Sequence, residues 1–241
     1  SVQRGLKSKE LSSSKLSGEC TSILLNAKDS PLVSPFNKKV MTYALAVIEE
    51  NARMGKIAAC PTAGSSGIIP AVLVASYEEF KKTKRELLDS LIIAGEIGRI
   101  ISLKMPLAGA VAGCQAECGA ASSMASGALC YLLQGDINQI FNAIALNLKN
   151  ILGLTCDPVA GLVEVPCVKR NLFLASHAIN AAYAAMAGIE SKIPPDDVVS
   201  AMRETGNLMS PKLKESSEAG LALTPAGVQI KNSLYEIWHK N

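Results

Sequence analysis

The segment QAECGAASSMASGALCYLL, residues 115–133, decides the predicted fold. Small side chains recur along it at helical spacing, at Ala116, Ala120, Ser123 and Gly127. Residues three or four positions apart lie on one face of a helix, so these four form a stripe of small residues. Because small side chains leave room for close packing, we expect the backbone of this helix to approach its neighbours closely.

Helical patterns continue on both sides of this segment. Apolar residues recur at spacings of three and four from residue 37 onward, and helices are also predicted over 85–103 and 169–188. Asp136 is a favourable N-cap for a further helix over 137–152. Since no alternating strand pattern of any length occurs, we predict an all-α, compact multi-helix domain with site-forming loops between the helices.

The two ends of the chain differ from this helical core. Residues 1–36 are rich in serine and proline and show no persistent apolar period, which predicts an irregular N-terminal segment. Residues 37–241 are the predicted helical domain, and its last part, 210–241, is punctuated by Pro and Gly and predicted to be mostly extended. The charged, serine-rich front has no apolar core, so we expect no signal peptide.

The composition excludes several classes of protein. With 49% hydrophobic residues and a net charge of +3, the chain is not intrinsically disordered. Because 24 basic residues face 21 acidic ones, electrostatic capture of nucleic acid is not expected. Three stretches without charge, 57–77, 118–135 and 171–189, are as long as membrane spans. These stretches contain Pro, Gly, Ser and Asn residues, which favour helices buried within a protein over helices that span a membrane. We therefore expect no membrane partner.

Seven cysteines are the second unusual feature. An odd count in a chain of this length favours a reducing, cytoplasmic setting over a disulfide framework. Cys114 opens a helix, while Cys156 and Cys167 flank a loop, and thiolates are the usual ligands of iron–sulfur clusters. No CxxC pair or common zinc spacing is present, so from spacing alone buried structural thiols remain the alternative.

Longer motifs surround these cysteines: CPTAGSSGIIPAVL at 60–73, AGCQAECGAASSMASG at 112–127 and TCDPVAGLVEVPCVKRN at 155–171. Together with LKESSEAGLALTPAG at 213–227, they closely resemble the α subunit of the iron–sulfur-dependent L-serine dehydratases. The resemblance runs from about residue 37 to the C-terminus, whereas SSSKLSGE at 12–19 is only faintly similar to the family.

The resemblance implies a specific activity. Family members deaminate L-serine to pyruvate and ammonia without pyridoxal phosphate, and their [4Fe–4S] cluster is held by three cysteines that match Cys114, Cys156 and Cys167. One iron, free of protein ligands, acts as a Lewis acid, which makes hydroxide a better leaving group. A base removes the α-proton, and the aminoacrylate that forms is hydrolysed.

The CPTAG segment offers candidate substrate ligands. A helix start with free N–H groups and hydroxyls suits a carboxylate. The resemblance favours substrate contact over ordinary helix capping for four residues: Thr62, Gly64, Ser65 and Ser66.

Four further residues have two interpretations each. Lys169 and Arg170 open a helix, where cations are electrostatically disfavoured, so they either face an anion, which is the cluster or the carboxylate of the bound substrate, or form a surface pair. Cys118 lies one helical turn after Cys114 and either approaches the cluster or is a buried thiol, which is the favoured interpretation. His177 is a candidate general base, although a satisfied core histidine is the stronger interpretation.

The serine-rich, histidine-containing motif of the family's β portion does not occur in this sequence. We therefore expect a β subunit, or a β domain elsewhere in the same protein, to complete the enzyme and supply the base, in an oligomer. Two alternatives remain: a related L-cysteine desulfidase, because a thiol can replace the hydroxyl as leaving group, and a non-catalytic helical binding or regulatory module without a cluster.

Overall fold

The computed structural model describes residues 1–239. In this part of the chain there are eleven α-helices and no β-strand, which confirms the all-α prediction. The α-helices are α1 (Val2–Lys7), α2 (Cys20–Asn26), α3 (Pro35–Ala52), α4 (Ile68–Glu79), α5 (Lys84–Lys104), α6 (Gly109–Ala112), α7 (Ala120–Leu132), α8 (Ile137–Lys149), α9 (Cys167–Met186), α10 (Pro195–Leu208) and α11 (Pro225–His239).

Helix α7 lies at the centre of the domain. It packs against α4, α5, α8 and α9, and all of its residues except Tyr131 are buried. The predicted stripe of small residues is buried completely, at Ala116, Ala120, Ser123 and Gly127. A Cβ atom added to Gly127 would lie 2.6 Å from Ile97 Cδ1 of α5, so the absence of a side chain allows the close approach of the two helices.

The predicted helix start at Asp136 is confirmed, whereas the helix predicted from residue 37 begins earlier. Asp136 caps α8 through a reciprocal pair of 2.9 Å hydrogen bonds with Gln139, which satisfies two backbone donors. Ser34 caps α3 by accepting from the Asn37 backbone N–H at 3.2 Å, so this helix begins at Pro35, two residues before the predicted start.

The N-terminal segment, predicted to be irregular over 1–36, contains the short helices α1 and α2. Helices of six and seven residues are marginal on their own, so their sequence pattern is weak and tertiary contacts stabilise them. The buried Glu49 carboxylate accepts hydrogen bonds from the Cys20 N–H at 2.9 Å and the Thr21 hydroxyl at 2.6 Å, which fixes α2 on α3. Gly5 of α1 packs directly on the Ala46 carbonyl of α3.

Two further expectations are corrected. Residues Gln115–Gly119, predicted to be the first part of one regular helix, form a π-helical turn before α7 begins. The segment 210–241, predicted to be mostly extended, contains α11 over Pro225–His239. Pro225 takes the first helical position, where a missing N–H costs nothing.

Membrane spanning finds no support in the described residues. Within 1–239, every helix is either too short or too polar to cross a bilayer. The charge-free stretches of the sequence are accounted for by the buried α7 and by the inner faces of α4 and α9.

Candidate metal centre

Four buried cysteines surround one end of the central helix. Cys114 precedes the π-helical turn, Cys118 lies within it, Cys156 stands in the loop after α8, and Cys167 is the first residue of α9. Gly113 enters this site with φ +77, a left-handed conformation that side chains disfavour, and thereby turns the chain into Cys114. The three ligand candidates Cys114, Cys156 and Cys167 are all buried, as is usual for a metal centre.

Two of the predicted ligands and one unpredicted carboxylate converge most closely. One ligand atom each from Cys114, Glu117 and Cys156 lies within 4.8 Å of the other two. Cys167 is not part of this tight group, although it is near enough to affect the ionisation of Cys118 and Cys156 electrostatically. The resemblance to the serine dehydratase family implied the two cysteines but not the carboxylate.

The electrostatics of the site favour one thiolate. Hydrogen bonds from the Cys118 and Cys156 thiols, together with the Arg170 guanidinium, hold the pKa of Cys114 far below its usual value. The same hydrogen bonds and burial raise the pKa of Cys118 and Cys156, and burial raises the pKa of Cys167 to about 12. These shifts favour the thiolate at Cys114, and binding of a metal would favour the thiolate form of the other cysteines as well.

Arg170 has the anionic partners that a cation at a helix start is expected to need. Its Nη1 donates to Cys114 Sγ at 3.2 Å and to the Thr155 carbonyl at 2.8 Å. Its Nη2 donates to Asp157 Oδ1 at 2.8 Å, and both side chains of this ion pair are mostly buried. Lys169, in contrast, is exposed and lies beside the Cys20 thiol.

Glu117 is the functional residue that sequence reasoning missed. It is only 9% exposed, its Oε1 accepts a short hydrogen bond from the Thr62 hydroxyl, and its Oε2 lies 3.8 Å from Cys114 Sγ. Burial, the largest cause, raises the pKa of this carboxyl to about 7. A signal was present, because Glu117 is the only charged residue between Lys104 and Asp136.

The CPTAG segment folds over this carboxylate. The Thr62 and Ser65 hydroxyls lie 3.1 Å apart, and the Gly64 carbonyl accepts from Cys118 Sγ at 3.8 Å and from Asn171 Nδ2 at 2.7 Å. Among the described residues, the Gly67 N–H at the start of α4 donates to Asn171 Oδ1 at 3.0 Å, and the side chains of Thr62, Ser65 and Ser66 do not cap this helix. Ser66 Oγ is buried and, within residues 1–239, has no hydrogen-bond partner.

The structure places His177 away from the thiols. Its Nε2 lies 3.1 Å from the Asn147 backbone carbonyl, and it lines a cavity of about 530 Å³ together with Phe173 and Gly153. Across the described residues, no hydrogen bond connects His177 with the cysteines. The half-buried His177 ring therefore lies apart from the thiols, and its role as a base stays a prediction.

Segments from both ends of the chain hold the loop that carries Cys156 and Cys167. The Cys156 N–H donates to the Leu213 carbonyl at 2.8 Å, and the Cys156 carbonyl accepts from the Glu215 N–H at 2.7 Å. The Leu221 N–H donates to Asp157 Oδ2 at 2.8 Å. Near the other end of the loop, buried Glu164 accepts hydrogen bonds from three serine hydroxyls, those of Ser12, Ser14 and Ser17.

The fold and the site together define an all-helical domain built around a buried, thiol-rich group that can hold a metal. The family model described as serine dehydratase alpha chain matches residues 1–222, and the chain belongs to this family. The resemblance seen in the motifs is therefore confirmed.

Individual relatives agree with this assignment. The chain is 41% identical over 235 residues to a probable L-serine dehydratase alpha chain of Bacillus subtilis, covering 97% of this chain and 78% of that protein. It is 44% identical over 200 residues to the L-serine dehydratase alpha chain of Peptoniphilus asaccharolyticus, covering 83% and 68%. An L-serine dehydratase of Streptomyces coelicolor is 45% identical over 187 residues, which is 76% of this chain but 41% of that protein.

Proposed function

We propose that this chain is the cluster-bearing α chain of an L-serine ammonia-lyase, which converts L-serine to pyruvate and ammonia by β-elimination of water, without pyridoxal phosphate. The observation that carries the proposal is the convergence of Cys114 and Cys156 at a buried point, with Cys167 beside them, in a member of the serine dehydratase alpha chain family. The names of the relatives support L-serine as the substrate.

The donor set fits a [4Fe–4S] cluster held by Cys114, Cys156 and Cys167. These thiols are buried, come from separate segments, and are accompanied by the Arg170 cation, which offsets the negative charge of cluster-bound thiolates. When bound, the cluster supplies a Lewis acid that makes the β-hydroxyl of serine a better leaving group. A reducing compartment, such as the cytoplasm, suits seven free thiols.

The residues of the CPTAG segment bind and orient the substrate in this proposal. Thr62 and Ser65 present hydroxyls next to the metal-binding group, and the unpartnered Ser66 Oγ offers a further hydrogen bond. The N-terminus of α4 contributes its dipole to the binding of the substrate carboxylate, while its Gly67 N–H already donates to Asn171 Oδ1 at 3.0 Å. Arg170 already has three acceptors, so its role is to hold Cys114 rather than the substrate.

A β chain or β domain completes the enzyme in this proposal and supplies the base that removes the α-proton. The alpha chain names of two relatives support such a partner. The Streptomyces coelicolor protein supports it as well, since the region matched by this chain is 41% of its length. In this proposal the chain and its β partner form an oligomeric enzyme.

Anaerobic purification tests the proposal. We expect iron and sulfide in the wild-type protein, absorbance near 400 nm as in other iron–sulfur proteins, and loss of iron in Cys156→Ser and Cys167→Ser. Cys130→Ser is the matched control, because Cys130 is equally buried but packs between α7, α8 and α9. Full iron content in the two site variants would refute the ligand assignment.

Turnover separates the remaining alternatives. With the β partner present, we expect pyruvate from L-serine, whereas faster turnover of L-cysteine would identify a desulfidase. A protein that never acquires iron and sulfide under anaerobic conditions would be the cluster-free binding module instead.

A further inference from the structure

We propose that Glu117 is a fourth protein ligand of the metal group while no substrate is bound, donating a carboxylate oxygen beside the cysteine sulfurs and giving up this position to the substrate hydroxyl. This inference rests on the proposed function, because it assumes the same metal-binding group. Its direct basis is distance: Glu117 contributes one oxygen to the set whose atoms all lie within 4.8 Å of one another, with Cys114 and Cys156. Mixed sulfur and oxygen sets of this kind bind iron, zinc and cobalt.

The surrounding backbone leaves room for this carboxylate at two glycines. A Cβ atom at Gly64 would lie 2.5 Å from Glu117 Oε1. A Cβ atom at Gly109 would lie 3.0 Å from both Glu117 Oε2 and Cys156 Sγ. Two separate segments therefore lack side chains at the points where the carboxylate and the sulfur meet, which is expected where backbone must approach a bound group closely.

Local structure also aims Glu117 at the sulfurs. The π-helical turn Gln115–Gly119 is the kind of insertion found often at functional sites, because it changes the direction of side chains within a helix. The Thr62 hydroxyl donates to Oε1, which leaves Oε2 on the side of Cys114. Such an outer hydrogen bond commonly orients metal-binding carboxylates.

The charge on Glu117 has no cationic partner in the protein. Among residues 1–239, no Lys, Arg or His nitrogen lies within salt-bridge distance of its carboxylate, and Arg170 is engaged with Asp157 and Cys114. A buried carboxylate is costly unless it is paired or coordinates a metal. A metal cation held by the cysteines provides the missing positive charge.

Titration of the metal-free full chain with Co²⁺ under anaerobic conditions tests the ligand directly. Glu117→Gln keeps the shape and the hydrogen bond from Thr62 but removes the anionic oxygen, so we expect Co²⁺ affinity to fall about 10-fold or more, while the thiolate-to-cobalt absorption band remains. Thr62→Val is the matched control, since it removes the hydrogen bond and keeps the carboxylate. We expect it to weaken binding less than Glu117→Gln.

The iron-loaded protein provides the second measurement. We expect Glu117→Gln to change the Mössbauer signal of one iron without substrate, and to lose that iron to mild oxidation about 10-fold faster than wild type. Glu215→Gln, at an exposed residue near the site, controls for the loss of one negative charge.

Unchanged Co²⁺ affinity together with an unchanged Mössbauer spectrum in Glu117→Gln would overturn the inference while leaving the proposed function intact. If wild-type protein holds no iron and sulfide, the proposed function fails instead. The Co²⁺ titration then decides on Glu117 by itself.

Discussion

Ser14 and Glu164 lie 150 residues apart in the sequence, yet Ser14 Oγ donates to Glu164 Oε1 at 2.7 Å. Ser12 and Ser17 donate to the other oxygen of the same carboxylate. Because Glu164 belongs to the loop between Cys156 and Cys167, this cluster joins the N-terminal segment to the loop that carries two proposed ligands. The cluster is buried, so its hydrogen bonds are not exchanged for water in the folded state.

Replacement of this carboxylate is expected to destabilise the protein. Glu164→Ala leaves three buried hydroxyls without their acceptor, and each such group costs about 1–3 kcal/mol, so we expect the free energy of unfolding to fall by about 3 kcal/mol. Urea denaturation measures this change, and limited trypsin digestion at Lys15 reports release of the segment. Glu10→Ala is the control at an exposed position, and equal stability of the two variants would contradict the role of the cluster.

Removal of Arg170 is expected to leave a buried charge unpaired. The Arg170–Asp157 ion pair is mostly buried, and loss of one partner of such a pair destabilises by about 3–5 kcal/mol. We expect Arg170→Met to lower thermal stability accordingly, and to reduce iron retention by removing the cation next to Cys114. The exposed Arg99–Glu96 pair offers a comparison, because Arg99→Met should change thermal stability far less than Arg170→Met.

A leucine is expected to destabilise the protein at Gly127 but not at Gly95. Gly127→Leu forces a side chain between α7, Ile97 of α5 and Ile144 of α8, and such overpacking costs about 1–3 kcal/mol or more. A Cβ at Gly95 of α5 meets no atom within 4 Å, and Leu is the better helix former, so Gly95→Leu should be neutral or stabilising. Calorimetry of both variants checks this contrast, which fails if they melt together.

The Cys130 thiol is expected to resist alkylation in the native protein. Burial raises the pKa of Cys130 to about 11, with a smaller contribution from Asp136. Since only the thiolate reacts and a raised pKa favours the protonated form, about one molecule in a thousand is reactive at pH 8 even before access is considered. Iodoacetamide labelling of metal-free protein, followed by peptide mass spectrometry, should modify Cys20 early and Cys130 only under unfolding conditions.

Local signals predicted much of the helical framework. The small-residue stripe predicted the buried central helix because packing demands little side-chain volume there, and Asp136 marked a helix start because capping is a local interaction. Helices α1 and α2 could not be predicted in this way, since contacts with Glu49 and α3 stabilise them across a long sequence separation. Pro225 and Gly227 suggested a loop, yet Gly227 lies inside α11, where it packs against the Leu221 carbonyl.

The site was predictable in its residue types but not in its geometry. The motifs around Cys114, Cys156 and Cys167 identified the thiols as ligand candidates, and the structure brings Cys114 and Cys156 together. The π-helical turn that contains Glu117 leaves no trace in residue spacing. The position of the Glu117 carboxylate beside the thiols is therefore visible only in the three-dimensional structure.

The loop between Cys156 and Cys167 contacts segments from both ends of the chain. These contacts have a consequence for biosynthesis. A nascent polypeptide that has just emerged past Cys167 already holds every proposed cysteine ligand. It still lacks the segment with Leu213, Glu215 and Leu221, whose backbone groups form hydrogen bonds with the backbone of Cys156 and the carboxylate of Asp157. If the three cysteines hold a cluster as proposed, its binding loop is complete only once this late segment has been synthesised, so we expect insertion of the cluster to follow translation.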